Sequence, residues 1–275
     1  MRSKIIVLLI LIINLTLSAC STSPKKESTE QELYEDAKRA IKIRSFQQAT
    51  IALEELESRF PFGKYAEQAQ LDLIYARYSS LDLEGSKLAA DRFIRLHPQS
   101  PSVDYAYYVR GIANYYLDGG VASQYFPIVD VSSRDPGHMR LSFKDFSELL
   151  MRFPESPYAA DAQQRMIDIR NRLAAYELHA ARYYIKRQAY LAAVNRAAFV
   201  VKSFPASPSV EEALNMMVSV YAKLGLNAQS DDALAVLKLN FPKGKSFTKK
   251  GQYTAMHKLD PERSLASVIT FGLFE

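Results

Sequence analysis

Arg152-Phe153-Pro154-Glu155-Ser156-Pro157 closes one helical run and opens the next, and the chain repeats the device. Related stops stand at Arg59-Phe60-Pro61, Leu96-His97-Pro98, Ser203-Phe204-Pro205 and Asn240-Phe241-Pro242. Each follows a stretch with apolar residues at helical spacing. A proline cannot continue such a run, because it lacks the N–H and its ring clashes with the preceding turn. Three stops continue alike, as Pro98-Gln99-Ser100-Pro101, Pro154-Glu155-Ser156-Pro157 and Pro205-Ala206-Ser207-Pro208. The second proline of each suits the first turn of a new helix.

The leading prolines of the five stops lie 37, 56, 51 and 37 residues apart. The two short intervals are close to the ~34-residue period of a tetratricopeptide helix pair. Counting back from each proline finds small residues that let paired helices approach: Ala37, Ala40 and Ala49 in pair one, and Ala181 and Ala193 in pair four. Pair five offers Tyr221, with Ala228 near the expected small site, and pair two fits only after a one-residue shift, through Tyr78 and Ala89. In pair three a first helix, about 104–117, is parted from a second, about 138–152, by a Gly- and Pro-containing segment over 118–137. The 51-residue interval has a different cause. Neither glycine nor proline occurs between Tyr158 and Phe204, which predicts one long helix or two closely joined ones. A continuous helix over 158–186 would be roughly 43 Å long at 1.5 Å per residue. Alternating β-branched runs between Asn-Gly-type turns are absent. The expected fold is therefore all-α, a tetratricopeptide-repeat solenoid of about five helix pairs in two lobes, residues 32–157 and 158–242. Stacked pairs of this kind leave a concave face on which peptides bind.

The amino terminus carries a different message. Arg2 and Lys4 precede an apolar run from Ile5 to Leu15, and Ser18-Ala19 lead into Cys20, the chain's one cysteine. This order predicts a lipoprotein signal peptide over 1–19, with Cys20 as the mature amino terminus bearing diacylglyceryl and N-acyl chains. No other cofactor is expected. Several acyl chains give lasting attachment where one is marginal. Ser21, in place of the aspartate that retains enteric lipoproteins at the inner membrane, favours the periplasmic face of the outer membrane. Residues 20–31 read as a polar tether. At the other end, 243–275 holds a basic stretch (KGKSFTKKGQ) and an apolar close. The plain reading is a disordered tail with a short docking helix; the alternative is contact with another subunit or a membrane surface.

Composition narrows the function. Without Arg2 and Lys4 the excess positive charge is only about three, and lysines and arginines alternate with acids instead of forming a stripe, which argues against a nucleic-acid partner. His97, His138, His179 and His257 are scattered, without a metal-ligand spacing. No nucleophile elbow, Walker loop or dinucleotide fingerprint is present. The expectation is a protein that is not an enzyme and holds no metal.

Specific blocks go further. Arg59-Phe60-Pro61-Phe62-Gly63 leads to Gln70-Leu71-Asp72-Leu73-Ile74-Tyr75-Ala76. Then come Ala90-Asp91-Arg92-Phe93-Ile94-Arg95-Leu96, Asp104-Tyr105, Val109-Arg110-Gly111, Arg134-Asp135-Pro136, Phe143-Lys144-Asp145-Phe146 and Val194-Asn195-Arg196. In this order, over about 33–241, they resemble the BamD (ComL) family, lipoproteins of the outer-membrane β-barrel assembly machinery. The resemblance implies a non-enzymatic scaffold that docks onto the periplasmic domains of BamA and onto other Bam lipoproteins. It also implies recognition of C-terminal β-signals of unfolded outer-membrane proteins. Arg196 matches the family arginine that meets an acidic residue of BamA, with Arg187 nearby in sequence. For the β-signal, whose aromatics and carboxylate need complementary partners, the candidates are Phe62, Tyr65, Tyr75, Arg92, Arg95 and Arg110. A general periplasmic repeat adaptor in envelope biogenesis is the alternative, and Arg134-Asp135-Pro136 is the feature that such adaptors lack.

Overall fold

The computed structural model describes residues 28–125 and 135–259. The leader, Cys20, most of the tether, Arg134 and residues 260–275 lie outside the described residues. Ten α-helices occur among the described residues: α1 (Glu30–Lys42), α2 (Phe46–Arg59), α3 (Ala66–Ser79), α4 (Leu83–Leu96), α5 (Val103–Tyr125), α6 (Gly137–Arg152), α7 (Ala159–Lys186), α8 (Tyr190–Ser203), α9 (Val210–Lys223) and α10 (Asn227–Asn240). They form five tetratricopeptide-like helix pairs. The first helix starts at Thr29, whose hydroxyl accepts from the Glu32 N–H while the Glu32 carboxylate accepts from the Thr29 N–H at 2.8 Å.

All five stops adopt one geometry. Phe60, His97, Phe153, Phe204 and Phe241 cap their helices with φ between −127° and −135° and each N–H bonded four residues back. Two turns follow at fixed offsets: Ser156 N–H donates to the Phe153 carbonyl and Ala159 N–H to Ser156, and the pattern recurs at Gly63, Ser100, Ser207 and Gly244. An acid in the first turn of the pair's own leading helix holds the turn in three pairs. Glu30 accepts from the Tyr65 N–H at 2.7 Å, Asp104 from the Ser156 hydroxyl at 2.7 Å, and Glu211 from the Ser246 N–H at 2.8 Å.

The turn within a pair is equally regular and less visible in sequence. Arg44, Leu81 and Gln188 have φ near +60°, and Gly225 sits at +73°. Each lies 17 residues before its stop proline. The next residue's N–H reaches five back, as Ser45 to Ala40 and Leu226 to Tyr221, which satisfies the carbonyls orphaned at the helix end. Three of the four are not glycine, so the composition did not announce them.

Pair two needs no shift. Its small site is Ser86, whose hydroxyl donates to the Ile74 carbonyl across the pair at 3.0 Å. Ser142 donates likewise to Gly111 (2.8 Å) and Ser230 to Val218 (2.9 Å), so in pair five the site is Ser230 and not Ala228. Ala49 and Ala193, fully buried, hold the same place in pairs one and four. Serine fills the site as alanine does, being nearly as small once its hydroxyl is bonded to the facing backbone.

One further expectation changes. The first helix of pair three runs to Tyr125, through Gly119 and Gly120, instead of stopping near residue 117. A helical glycine costs only about 1 kcal/mol, too little to end a helix anchored by buried Val103, Ala106, Val109 and Ile112. The glycine-free interval holds two closely joined helices: α7, continuous over 28 residues and ~42 Å, and α8 after a short turn.

Packing divides the chain into a unit ending at Ala69 and a unit beginning at Gln70. In the first, α1 packs on α2 and buries Leu33, Ala37, Ala49, Leu53 and Leu56. In the second, helices from α4 to α10 each pack on the next in sequence. One core gathers Ile74, Phe93, Met139, Phe146, Leu149 and Ile169; another gathers Leu178, Ile185, Val200, Met216 and Val220. Helix α7 contributes its first half to one and its second half to the other.

Residues 243–259 are an ordered strap and not a disordered tail. Phe247 and Tyr253 bridge across a turn closed by Gly251 at φ +75°. The Asn215 side chain grips the extended backbone twice, donating to the Thr254 carbonyl at 2.8 Å and accepting from the Met256 N–H at 2.9 Å. Tyr253 meets Ser219 at 2.8 Å, and His257 meets Glu212, itself bound to Arg182 of α7. His257 and Arg182 together hold the Glu212 carboxyl below its ordinary range against the opposing effect of burial. The strap closes the end of the last pair, as a terminal repeat requires.

Candidate partner-binding surface

Helix α8 is two-faced. Ala193, Val194, Ala197 and Val200 are buried against α7 and α9, while Leu191, Asn195, Arg196, Phe199 and Lys202 point outward. Leu191 is 63% and Phe199 46% exposed, eight residues apart on one stripe with Asn195 midway. A globular helix normally turns such residues inward. Phe199 rests edge-on against Phe204, ring centroids 5.8 Å apart.

Arg196 reaches from α8 to α7, where its Nη1 donates to Glu177 Oε2 at 2.7 Å; the glutamate side chain is only 6% exposed, the arginine 44%. That hydrogen bond is the main reason its guanidinium is held above the ordinary arginine pKa. Arg196 therefore does two things: it neutralises a buried acid and keeps nearly half of its side chain exposed to solvent. Arg187, in the turn after α7, is exposed and lies over the Tyr183 ring at 5.9 Å. Glu177, Leu191 and Phe199 escaped the sequence reading. The signal for the last two is an apolar pair on the stripe opposite Ala193, Ala197 and Val200.

The residues expected to meet a β-signal fall in both units. In the first, Phe62 is 98% exposed at the stop after α2. Tyr65 is half-buried and stacks on Tyr34 at 4.6 Å. In the second, Tyr75 on α3 and Arg92 and Arg95 on α4 are exposed. Arg110 is turned inward instead. Its guanidinium meets Asp91 at 2.7 Å, Asp145 at 2.7 Å and Glu148 at 3.2 Å, and lies 5.0 Å above the Tyr107 ring. Burial pulls its pKa down, but the three carboxylates outweigh burial and hold it above the ordinary value. With both terminal nitrogens spent on three acids and its Nε buried, Arg110 serves the fold.

Tyrosines of α5 join a further polar seam with α7. Tyr108 donates to Asp161 at 2.8 Å and Tyr115 to Asp168 at 2.6 Å, with Arg165 and Arg172 paired to the same two acids. Burial first, and then the hydrogen-bonded carboxylate, pushes both phenols up to about 12. Among the described residues no group of three or more His, Cys, Asp or Glu side chains is placed to hold a metal ion. None of the described helices is long and apolar enough to cross a membrane.

A family model described as YfiO, outer membrane lipoprotein, matches residues 26–237. The outer membrane protein assembly factor BamD of Vibrio cholerae is 38% identical over 82% of this chain and 93% of its own length. The chain belongs to the BamD family. BamD of Neisseria meningitidis serogroup A is 39% identical over 88% of this chain and 93% of its own, and BamD of Pasteurella multocida 36% over 84% and 88%. A solved tetratricopeptide repeat protein from Parabacteroides merdae shares 14% identity at a TM-score of 0.35, covering 78% of this chain and 67% of that one, a likeness too loose to argue from. The region matched by the YfiO model takes in α1 to α9 and most of α10, together with Arg187 and Arg196, and ends before the strap.

Proposed function

We propose that this chain is a non-enzymatic scaffold of outer-membrane protein assembly. It is lipid-anchored through Cys20 at the periplasmic face of the outer membrane and docks onto the periplasmic domains of BamA and other Bam lipoproteins. The reading is carried by one observation: relatives named as BamD assembly factors align at 36–39% identity over more than four fifths of the chain. The outward face of α8 supports docking there, because Leu191 and Phe199 offer apolar area beside the fixed charges of Arg187 and Arg196, and an interface centre is built from such anchors. Unfolded outer-membrane proteins, through their C-terminal β-signals, are the substrates. Exposed Phe62, Tyr75, Arg92 and Arg95, with the Tyr65 ring beside Phe62 in sequence, are the residues of matching chemistry.

The structure changes how docking is tested. Arg196→Glu would set a second carboxylate against buried Glu177 and disturb the α7–α8 pair, so lost binding could mean lost fold. The pair Glu177→Gln/Arg196→Gln removes both charges at nearly constant shape. It is expected to keep the parent's thermal melt and to lose most BamA in co-purification from outer membranes, as is Leu191→Glu. Full BamA recovery with both variants would refute docking through α8.

A further inference from the structure

We propose that a cleft beside the middle of α7 captures the C-terminal residue of an extended polypeptide, its large apolar side chain in the cleft and its carboxylate on Arg170. Helix α7 has 28 residues against the 14 of α9, and its two halves serve different cores. Between those cores, a cleft of about 500 Å³ is walled by Phe143 of α6, Ile167 and Leu173 of α7, and Phe204 and Pro205 of the stop after α8. Phe143 and Leu173 pack on the rim of one core and Phe204 on that of the other. Ile167 is 51% exposed, so the apolar wall is open to solvent. None of the residues assigned above to a β-signal or to BamA lines it.

Ile167, Arg170 and Asn171 stand at offsets of three and four, on one face of the helix. Arg170 lies over the Phe143 ring at 5.3 Å, which fixes its guanidinium at the cleft. Three other arginines of α7 are paired, Arg165 with Asp161, Arg172 with Asp168 and Arg182 with Glu212. Arg170 has no acid partner among the described residues, and no acid lines the cleft. A guanidinium held this way matches the two oxygens of a carboxylate. Half-buried Asn171, likewise without a hydrogen-bond partner among the described residues, offers a donor and an acceptor to a peptide group. Asp and Glu bring a carboxylate without apolar bulk, and an internal aromatic residue brings bulk without charge. Only the last residue of a chain joins both on one Cα, and the cleft's volume is in the range of sites that seat small ligands. An acyl chain shares the carboxylate and the bulk but would leave the Asn171 amide unpaired. The cleft's chemistry asks only for a chain end; that this end closes a β-signal rests on the substrate reading above.

The test is fluorescence anisotropy on the purified full chain in non-ionic detergent. A short labelled peptide of Gly, Ser and Thr ends in Phe as the free acid; matched peptides end in Phe-amide or in Gly. The free acid is expected to bind, and amidation or the Gly ending to weaken binding about tenfold or more, through loss of a charge-assisted bond or of a buried ring. Arg170→Gln should weaken the acid as much and leave acid and amide alike. Ile167→Glu, which sets an acid in the wall, should abolish binding. Both positions are exposed, so the thermal melt should not move. No binding of the acid, equal binding of acid and amide by the parent chain, or an Arg170→Gln variant that binds like the parent would each overturn the proposal. So would displacement of the peptide by octanoate at equal concentration, which gives the cleft to an acyl chain. A C-terminal peptide of an outer-membrane β-barrel separates this proposal from the substrate reading. If it binds no better than the Gly-Ser-Thr peptide ending in Phe, the cleft stands and the substrate reading falls. If its binding depends on Arg92 and Arg95 and not on Arg170, the substrate reading stands and the cleft falls.

Discussion

Arg110 on α5 and Arg196 on α8 are both helical arginines paired across helices, yet they sit in opposite surroundings. Arg110 is ringed by Asp91, Asp145 and Glu148, and its side chain is 15% exposed. Arg196 is paired with the acid Glu177 and is nearly half exposed. The acids decide which arginine is available. Three carboxylates take up both terminal nitrogens of Arg110 inside the fold, whereas Arg196, shared between Glu177 and Tyr184, keeps nearly half of its side chain in solvent. The same residue type thus serves the core of pair three and the surface of pair four.

The comparison can be broken by substitution. Arg110→Ala should cost about 3 kcal/mol of unfolding free energy in urea melts, because Asp145, buried beside Asn114, loses the cation that compensates its burial. A loss below about 1 kcal/mol would place Arg110 with the surface arginines. Gly111→Ala should cost about 2 kcal/mol, since a Cβ there meets the fully buried Phe146 ring at 2.6 Å and an overpacked core has little room to give. If Gly111→Ala instead stabilises, as glycine replacement in an unconstrained helix does, the packing around Arg110 is looser than described.

Arg196→Ala should cost about 1 kcal/mol, more than a fully exposed pair because Glu177 is buried, and less than Arg110→Ala because Arg196 itself is nearly half exposed and screened by solvent. The smallest expected effect sharpens the contrast through pH. Burial raises the Asp145 pKa despite the opposing pull of Arg110. A carboxyl raised in the folded state binds more protons folded than unfolded, so its contribution to stability grows as pH falls. Without Arg110 that rise is larger, and the deficit of Arg110→Ala should narrow as the melts move from neutral pH toward about pH 5. A deficit that widens on acidification would mean that Asp145 is not the acid left uncompensated.

The helix pairs were legible because their signals are local. A proline after Phe or His ends a helix wherever it stands, and the five stops share one backbone geometry. The small sites were half legible. Alanine advertises close approach, but Ser86 and Ser230 do so only once their hydroxyls find the Ile74 and Val218 carbonyls. Left-handed Arg44, Leu81 and Gln188 were hidden, since side chains that disfavour φ > 0 give no warning that a turn demands it. On the candidate surface, Arg196 was legible through resemblance. Glu177, Leu191 and Phe199 required knowing which way α8 faces.

By itself the sequence determined the helical periodicity, the places where helices stop, the scarcity of strands and the membership in the BamD family, all of which depend on neighbours along the chain. Only the tertiary structure decided that Arg110 is spent inside while Arg196 is presented, that α7 serves two cores, and that 243–259 is a strap gripped by Asn215. The reason is physical: a side chain's availability depends on the charges and volume that fold brings against it, and those come from residues 19 to 41 positions away.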